Sequence, residues 1–402
     1  SRPLLGKPTP CIGRDPELSI LDVHFSSCRD ESTASAVLVT AAAGVGKSRL
    51  RHEFLRRLES REEQVKVWLG RGEPLSAGST CAILVQMLRR QVGILDVDGE
   101  PLAAQQEKLL AYLANRLPAA SLQLAKSFLG ELCGLHFPDD DCAPLRAARQ
   151  DARLMSEQIA AAFIALIRAE SATTPLLLVL EDLHWSDVLS VTLLEDLLRS
   201  LKEAPLAILA LARPEALERF PKLWSAHAQV IPLRPLSRRA SERLIVQVLG
   251  PRGTPELVAE IVDRAEGNAL FLEELIRAVA EGKGDSLPDT VLTLTQARLL
   301  QLEPGARRVL RVASIFGQTF WRRGILALLS QVPDLGEGAI DRWLRLLHDS
   351  EVIEAQERMG AHGEVVEALD LDALRAQLAA CHAKGLRSVA IVFMHGYRFA
   401  QH

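Results

Sequence analysis

No apolar run in this sequence comes near the roughly 20 residues that a membrane span requires. The longest, "PLLLVL" and "LAILALA", stop far short, so a membrane-spanning helix is excluded. Charge excess is lacking too. A formal charge of -4 over 402 residues offers no overall attraction to nucleic acid or to an anionic lipid surface. The six cysteines (Cys11, Cys28, Cys81, Cys133, Cys142, Cys381) include no C-x-x-C pair. That scatter argues against a zinc site or a disulfide framework and for buried, unpaired thiols. Tandem repeats, low-complexity segments and a signal peptide are likewise missing, so a reducing cytoplasm is the expected compartment. Ser1 in place of an initiating Met is what a piece of a longer chain would carry.

What is present is an ordinary globular composition, 48% hydrophobic and 24% charged, with length enough for two or three domains. "SAVLVT" (35–40) is short, apolar and β-branched, as a buried parallel strand should be. It runs into "AAAGVGKS", and "KSRLRHEFLRRLE" follows with helical spacing. Further strands are expected at "QVKVWLG" (64–70), in "PLLLVLEDLHWSD" (175–187) and in "LAILALARPE" (206–215). Residues 101–170 read as helical, and the stripe Met155, Ile159, Phe163, Ile167 reads as core packing. After Pro235 the strands stop, and 237–283 read as amphipathic helices broken at "PRGTP" and "EGN". Alternating strands and helices predict an α/β fold with a parallel sheet flanked by helices.

The chemistry gathers at three strand ends. A phosphate loop, G-x-x-x-x-G-K-[ST], aims backbone N–H groups and a helix N-terminus at phosphate oxygens. Here the first glycine is replaced by Ala41, while Gly44, Gly46, Lys47 and Ser48 are in register. The outer position mainly ends the strand, and alanine suits it if φ is negative. A chance glycine-rich turn would explain the motif if it stood alone. It does not stand alone. "LLLVL" delivers Glu181 and Asp182 to the carboxyl end of a strand, where open α/β sheets bind ligands. Those acids could instead cap the helix after Asp187, but two acids directly behind five buried apolar residues need a cation or a partner. Arg213, at the tip of "LAILALAR", suits a γ-phosphate sensor and, taken alone, suits a surface ion pair equally well.

The ordered series "CIGRDPEL", "AAAGVGKSRL", "LLLVLEDLHWSD", "LAILALARPEAL", "PLRPLS" and "AEGNALFLEEL" resembles the signal-transduction ATPases with numerous domains (STAND). This is a branch of the AAA-like ATPases found attached to bacterial kinases, cyclases and regulators. The resemblance spans about residues 11–355 and implies a P-loop NTPase domain over 11–235, a helical lid over 236–285 and a winged-helix-like module over 286–356. It implies ATP and Mg²⁺ as cofactors. Gly13 and Arg14 would lie on the adenine side, with Pro235 as the adenine-contacting proline. Gly44, Val45, Gly46, Lys47, Ser48 and Arg49 would form the phosphate-binding stretch. Ser48 and Glu181 would hold Mg²⁺, and Glu181, Asp182 and Arg213 would be the catalytic set. "GRGE" (70–73) matches as well, though a turn after the second strand explains it equally well, and His184 and Trp185 are expected to pack on the sheet.

Two departures bear on activity. Ala41 and Ala42 stand where relatives commonly carry glycine and an acid, which puts affinity in question. Asp182 replaces the glutamate of fast AAA ATPases, so slow turnover is expected, as in a switch. Expected partners are ATP or ADP and signalling proteins or a fused effector domain. For nucleic acid only "RRVLR" (307–311) speaks. A nucleotide-gated scaffold or winged-helix transcriptional regulator is the alternative function.

Residues 357–402 change character and resemble a truncated piece of the N-terminal region of hydantoinase A/5-oxoprolinase enzymes. Gly363, Leu369, Asp370, Gly385, Ser388, Ala390, His395, Tyr397 and His402 carry that likeness. Read physically, the tail is one amphipathic helix (about 371–384), a glycine stop and the strand "SVAIVFMH". A helix–strand pair of that size cannot bury a core of its own. Hydantoinase or oxoprolinase activity is therefore the remotest alternative.

Overall fold

The computed structural model describes residues 3–282 apart from 6, 9–10, 62–63, 74–79, 95–100, 141, 222 and 225–227. Beyond these it describes 290, 299, 302–316, 320, 322–329, 337–349, 353, 358–359 and 365–367. The chain divides into two compact units, Ser1–Leu302 and Glu303–His402.

The first unit opens with a small antiparallel pair, β1 (Pro3–Leu4) and β2 (Lys7–Pro8), followed by helix α1 (Asp15–Asp30). Then come β3 (Ser35–Thr40), α2 (Lys47–Ser60) and β4 (Lys66–Arg71). A helical stretch follows: α3 (Ala82–Val92), α4 (Leu102–Ala114), α5 (Ala119–Leu132), α6 (Ala143–Ala148) and α7 (Ala152–Thr173). β5 (Leu176–Glu181), α8 (Val188–Ser200), β6 (Leu206–Ala212), α9 (Glu215–Arg219) and β7 (Ala228–Pro232) complete the α/β part. Three helices close the unit, α10 (Arg238–Leu249), α11 (Pro255–Ala265) and α12 (Ala269–Ala280).

The five strands β4-β5-β6-β3-β7 form one sheet, parallel throughout. Its centre explains the apolar runs: all six residues of β5 and all seven of β6 are buried. Alternate side chains pack on opposite faces. Val37, Val39, Leu177, Val179 and Leu209 meet α1 and α2. Ala36, Leu38, Leu178, Leu180 and Ile208 meet the helical stretch on the other side. Phe163 and Ile167 of the predicted stripe are buried in that second core, with Met155 and Ile159 packed against it. The helical block α10–α12 has a core of its own, including Leu244, Ile261, Leu272 and Leu275.

Of the elements with no counterpart in the reading of the sequence, two pack directly on the sheet. β7 has a buried side chain only at Ile231 and ends in Pro232, so it shows neither an apolar run nor strict alternation. As the sheet's edge strand it pairs on one side with β3 alone. α1 is the other, its apolar face limited to Leu18, Leu21, Phe25 and Cys28. The breaks within 237–283 do fall where local chemistry puts them. Thr254 caps α11 with Pro255 behind it, and Asn268 caps α12.

Among its described residues the second unit holds helices Pro304–Ala313, Arg322–Leu329 and Glu337–Asp349. An antiparallel pair, Arg358–Met359 with Val365–Glu367, follows them. Arg322 grips Asp341 with two N–H donors at 2.7 and 2.8 Å. The helix and strand expected within 371–402 lie outside the described residues. No helix of the described residues is long and apolar enough to cross a membrane.

Candidate nucleotide site

A parallel sheet brings all its carboxyl ends to one edge, and that edge collects the residues singled out above. β3 ends at Thr40, and residues 41–46 turn into α2. Gly46 caps α2 with φ 109°, a left-handed conformation that a side chain would strain, and no side chain caps the helix there. The amides of the first turn are thus left for an outside acceptor. Gly44 is also left-handed, at φ 80°. Ala41 is not among the positive-φ residues, and its side chain is 4% exposed. An alanine therefore fits the outer position of the motif without strain, its N–H bonded to Ala212 O at 3.1 Å.

Every carbonyl from Ala41 to Val45 accepts a hydrogen bond. Lys47 Nζ donates to Ala41 O at 2.7 Å and to Ala42 O at 3.1 Å. Asn268 Nδ2 donates to Ala43 O at 3.2 Å, and the Leu270 N–H to Gly44 O at 2.9 Å. Arg14 donates to Val45 O at 2.8 Å. Burial pushes the Lys47 pKa below the ordinary lysine value, opposed by Asp182 and reinforced by Arg213. That amine, on the first turn of α2, has its charge set among the other groups of the edge.

At the end of β5, Glu181 is 6% exposed. Its Oε2 lies 3.4 Å from Arg51 and 3.9 Å from Arg71. Asp182, at φ 50°, accepts on Oδ2 from Arg71 Nε at 3.0 Å and Arg71 NH2 at 2.8 Å. The partner that the buried Glu181 and the half-buried Asp182 call for is thus present as two guanidinium groups. Neither acid caps the next helix. Asp187 does so, accepting from the Ser190 N–H at 2.9 Å.

Arg213 follows β6 and is half-buried, and its backbone N–H lies 3.4 Å from His184 Nδ1. His184 is buried, its ring 5.1 Å from that of Trp185, and its carbonyl accepts from Arg219 at 2.9 Å. Burial lowers its pKa, with Asp182 opposing.

Arg14 is 5% exposed and ties three segments together. It reaches Arg234 O and Val45 O, both at 2.8 Å, and sits 3.7 Å from Glu17. Burial lowers its pKa, Glu17 opposing. Its neighbour Gly13 lies against Ala240 of α10. Pro235 is exposed beside Arg234, Ser48 is exposed on the first turn of α2, and Arg49 lies 3.5 Å from Glu273 of α12.

Arg51, Arg71 and Asn268 belong to this edge and were not picked out as site residues. Arg71 and Asn268 do lie in stretches noted for their likeness to relatives, "GRGE" and "AEGNALFLEEL". Arg51 has no motif signal, only its place one turn beyond Lys47.

A parallel sheet carrying a glycine loop before a helix, with acids and an arginine on neighbouring strand ends, defines a P-loop NTPase. The family model for the AAA ATPase domain matches residues 10–210, and the chain belongs to that family. A second family model, for the hydantoinase/oxoprolinase N-terminal region, matches residues 315–402, beginning earlier than the change of character at 357. An uncharacterized protein of Rhizobium meliloti (strain 1021) is 26% identical over 349 residues, 82% of this chain and 32% of its own length. The chain thus spans about a third of that relative. Among solved structures, the Aeropyrum pernix ORC1 protein in complex with DNA is 15% identical. It covers 94% of this chain and 96% of its own at a TM-score of 0.43. Cdc6p from Pyrobaculum aerophilum is 11% identical, with 94% and 96% covered and a TM-score of 0.38. A Thermotoga maritima RuvB variant is 12% identical, with 90% and 95% covered and a TM-score of 0.36.

Proposed function

We propose that this chain binds ATP with Mg²⁺ and hydrolyses it slowly, as the STAND-type regulatory switch of a bacterial signalling protein. One observation carries the reading. All five carbonyls from Ala41 to Val45 are bonded to donors, which leaves the loop's N–H groups and the uncapped start of α2 as an anion site.

In this reading Gly44, Val45, Gly46 and Lys47 hold the phosphates, and Arg49 keeps the helix beside α12. Gly13, Arg14 and Pro235 flank the base. The donor set also suits Mg²⁺, which takes one or two protein oxygens and otherwise phosphates and water. Ser48 and Glu181 would hold it, and it would neutralise charge developing on the phosphates. Asp182 orients the attacking water and Arg213 senses the terminal phosphate. The arginine partners of both acids and the short reach of Asp182 favour slow turnover. Purified protein titrated with ATP, ADP and GTP in the presence of Mg²⁺ tests the reading. Saturable binding of the adenine nucleotides with slow phosphate release supports it, and no binding of any of the three refutes it.

A second reading, a nucleotide-gated scaffold or winged-helix transcriptional regulator, is favoured by the exposed Arg308 and Arg311 on helix Pro304–Ala313. Salt-dependent DNA binding that changes with bound nucleotide would support it. Activity on 5-oxoproline would be the mark of the remotest alternative, suggested by the match over 315–402.

A further inference from the structure

The phosphate loop is shaped in part from outside its own motif. A trans peptide sets each C=O opposite the next residue's N–H, so a donor that fixes one carbonyl also fixes the direction of the following amide. Asn268 holds Ala43 O and thereby directs the Gly44 N–H. Leu270 holds Gly44 O and directs the Val45 N–H. Both donors sit at the N-terminus of α12, more than 220 residues further along the chain.

Resting on the ATP-binding reading, we propose that Asn268 is a positioning residue for the phosphate loop, and that docking of the α12 N-terminus regulates nucleotide affinity.

Its two amide atoms have separate tasks. Oδ1 accepts from the Phe271 N–H at 3.1 Å and caps α12, while Nδ2 donates to Ala43 O. Turning the amide over would set oxygen against oxygen and nitrogen against N–H, so the partners assign its orientation. Capping needs only the acceptor, which Ser or Asp supplies as well. The donor is in excess of what the helix requires, and it goes to the loop. The loop is fitted to receive it, since a Cβ on Gly44 would lie 2.5 Å from Asn268 Oδ1. Leu270 and Glu273 on the same helix end add the bond to Gly44 O and the ion pair to Arg49. Any signal that draws α12 away removes two loop bonds at once. By linkage, bound nucleotide strengthens the docking by the same factor.

The variants N268S and N268D keep the capping oxygen and lose the longer amide Nδ2 arm that reaches Ala43 O, and N268S does so without adding charge. Thermal melts of the ligand-free chains, ATP titrations and hydrogen exchange at the Leu270 amide form the experiment. Both variants should melt close to the parent and bind ATP about five- to tenfold more weakly, the scale of one lost hydrogen bond. The Leu270 amide should exchange faster in both, and its slowing by ATP, seen in the parent, should shrink. Parental ATP affinity in N268S together with parental protection at Leu270 overturns the positioning role and leaves the ATP site standing. A parent chain that binds no nucleotide removes the ATP-binding reading, and this inference with it.

Discussion

Arg71 places both Nε and NH2 on a single oxygen of Asp182, at 3.0 and 2.8 Å, while its other terminal nitrogen lies 3.9 Å from Glu181. One guanidinium at the tip of β4 therefore serves both acids at the tip of β5, a match made by the pairing of Arg71 with Glu181 in the sheet. Arg71→Ala should lower folding stability by about 1–3 kcal/mol, because Asp182 loses both of its short bonds and the buried Glu181 keeps only Arg51, 3.4 Å away. Arg71→Lys should recover only part of the loss, since a point charge cannot reproduce the two-donor fork. Urea unfolding checks this, and an unchanged midpoint in Arg71→Ala would show that the contact contributes no more than an exposed ion pair.

Lys47→Ala removes the charge expected to face the β- and γ-phosphates. ATP affinity should drop about a hundredfold or more, in keeping with the loss of a charge-assisted bond. Calorimetric titration reads the change. Equal affinity of variant and parent would mean that the loop is not the phosphate site.

Ala41→Gly tests whether the departure from the motif matters. Ala41 avoids positive φ and is buried, so restoring glycine should leave nucleotide affinity within a few-fold. Binding that appears only in the glycine variant would show that Ala41 had disabled the loop.

Acid should destabilise the fold earlier than carboxylate titration alone would. Burial lowers the pKa values of His24 and His184, and lowers that of His52 to about 4, with Arg51 and Arg49 adding to the last. Unfolded histidines titrate near about 6.5, so below that pH the unfolded chain takes up more protons and the native state loses ground. Stability should be level above about pH 7 and fall from about 6.5 towards 4. Melting temperature measured against pH should show this slope, and His52→Gln should flatten it between about pH 6.5 and 5. A slope identical to the parent's would remove His52 as a cause.

Much of the sheet and of its functional edge was readable because both depend on local order. The apolar runs ending in Thr40, Glu181 and Ala212 could satisfy their backbones and bury both faces only as central strands. A glycine loop between strand and helix states its own geometry. β7 was not readable, because an edge strand with a single buried side chain bears no pattern that distinguishes it from a loop.

The sequence by itself determined that a glycine loop would precede α2, and that two acids and an arginine would stand at strand ends. Those statements follow from spacing along a continuous chain. Only the tertiary structure decided that Arg71 and Arg51 would hold the acids, and that Arg14 and Asn268 would hold the loop's carbonyls. Each of these bonds joins segments brought together by strand order or by helix docking. Hydrogen bonding acts over about 3 Å of space whatever the separation in sequence, and the sequence alone carries no measure of that distance.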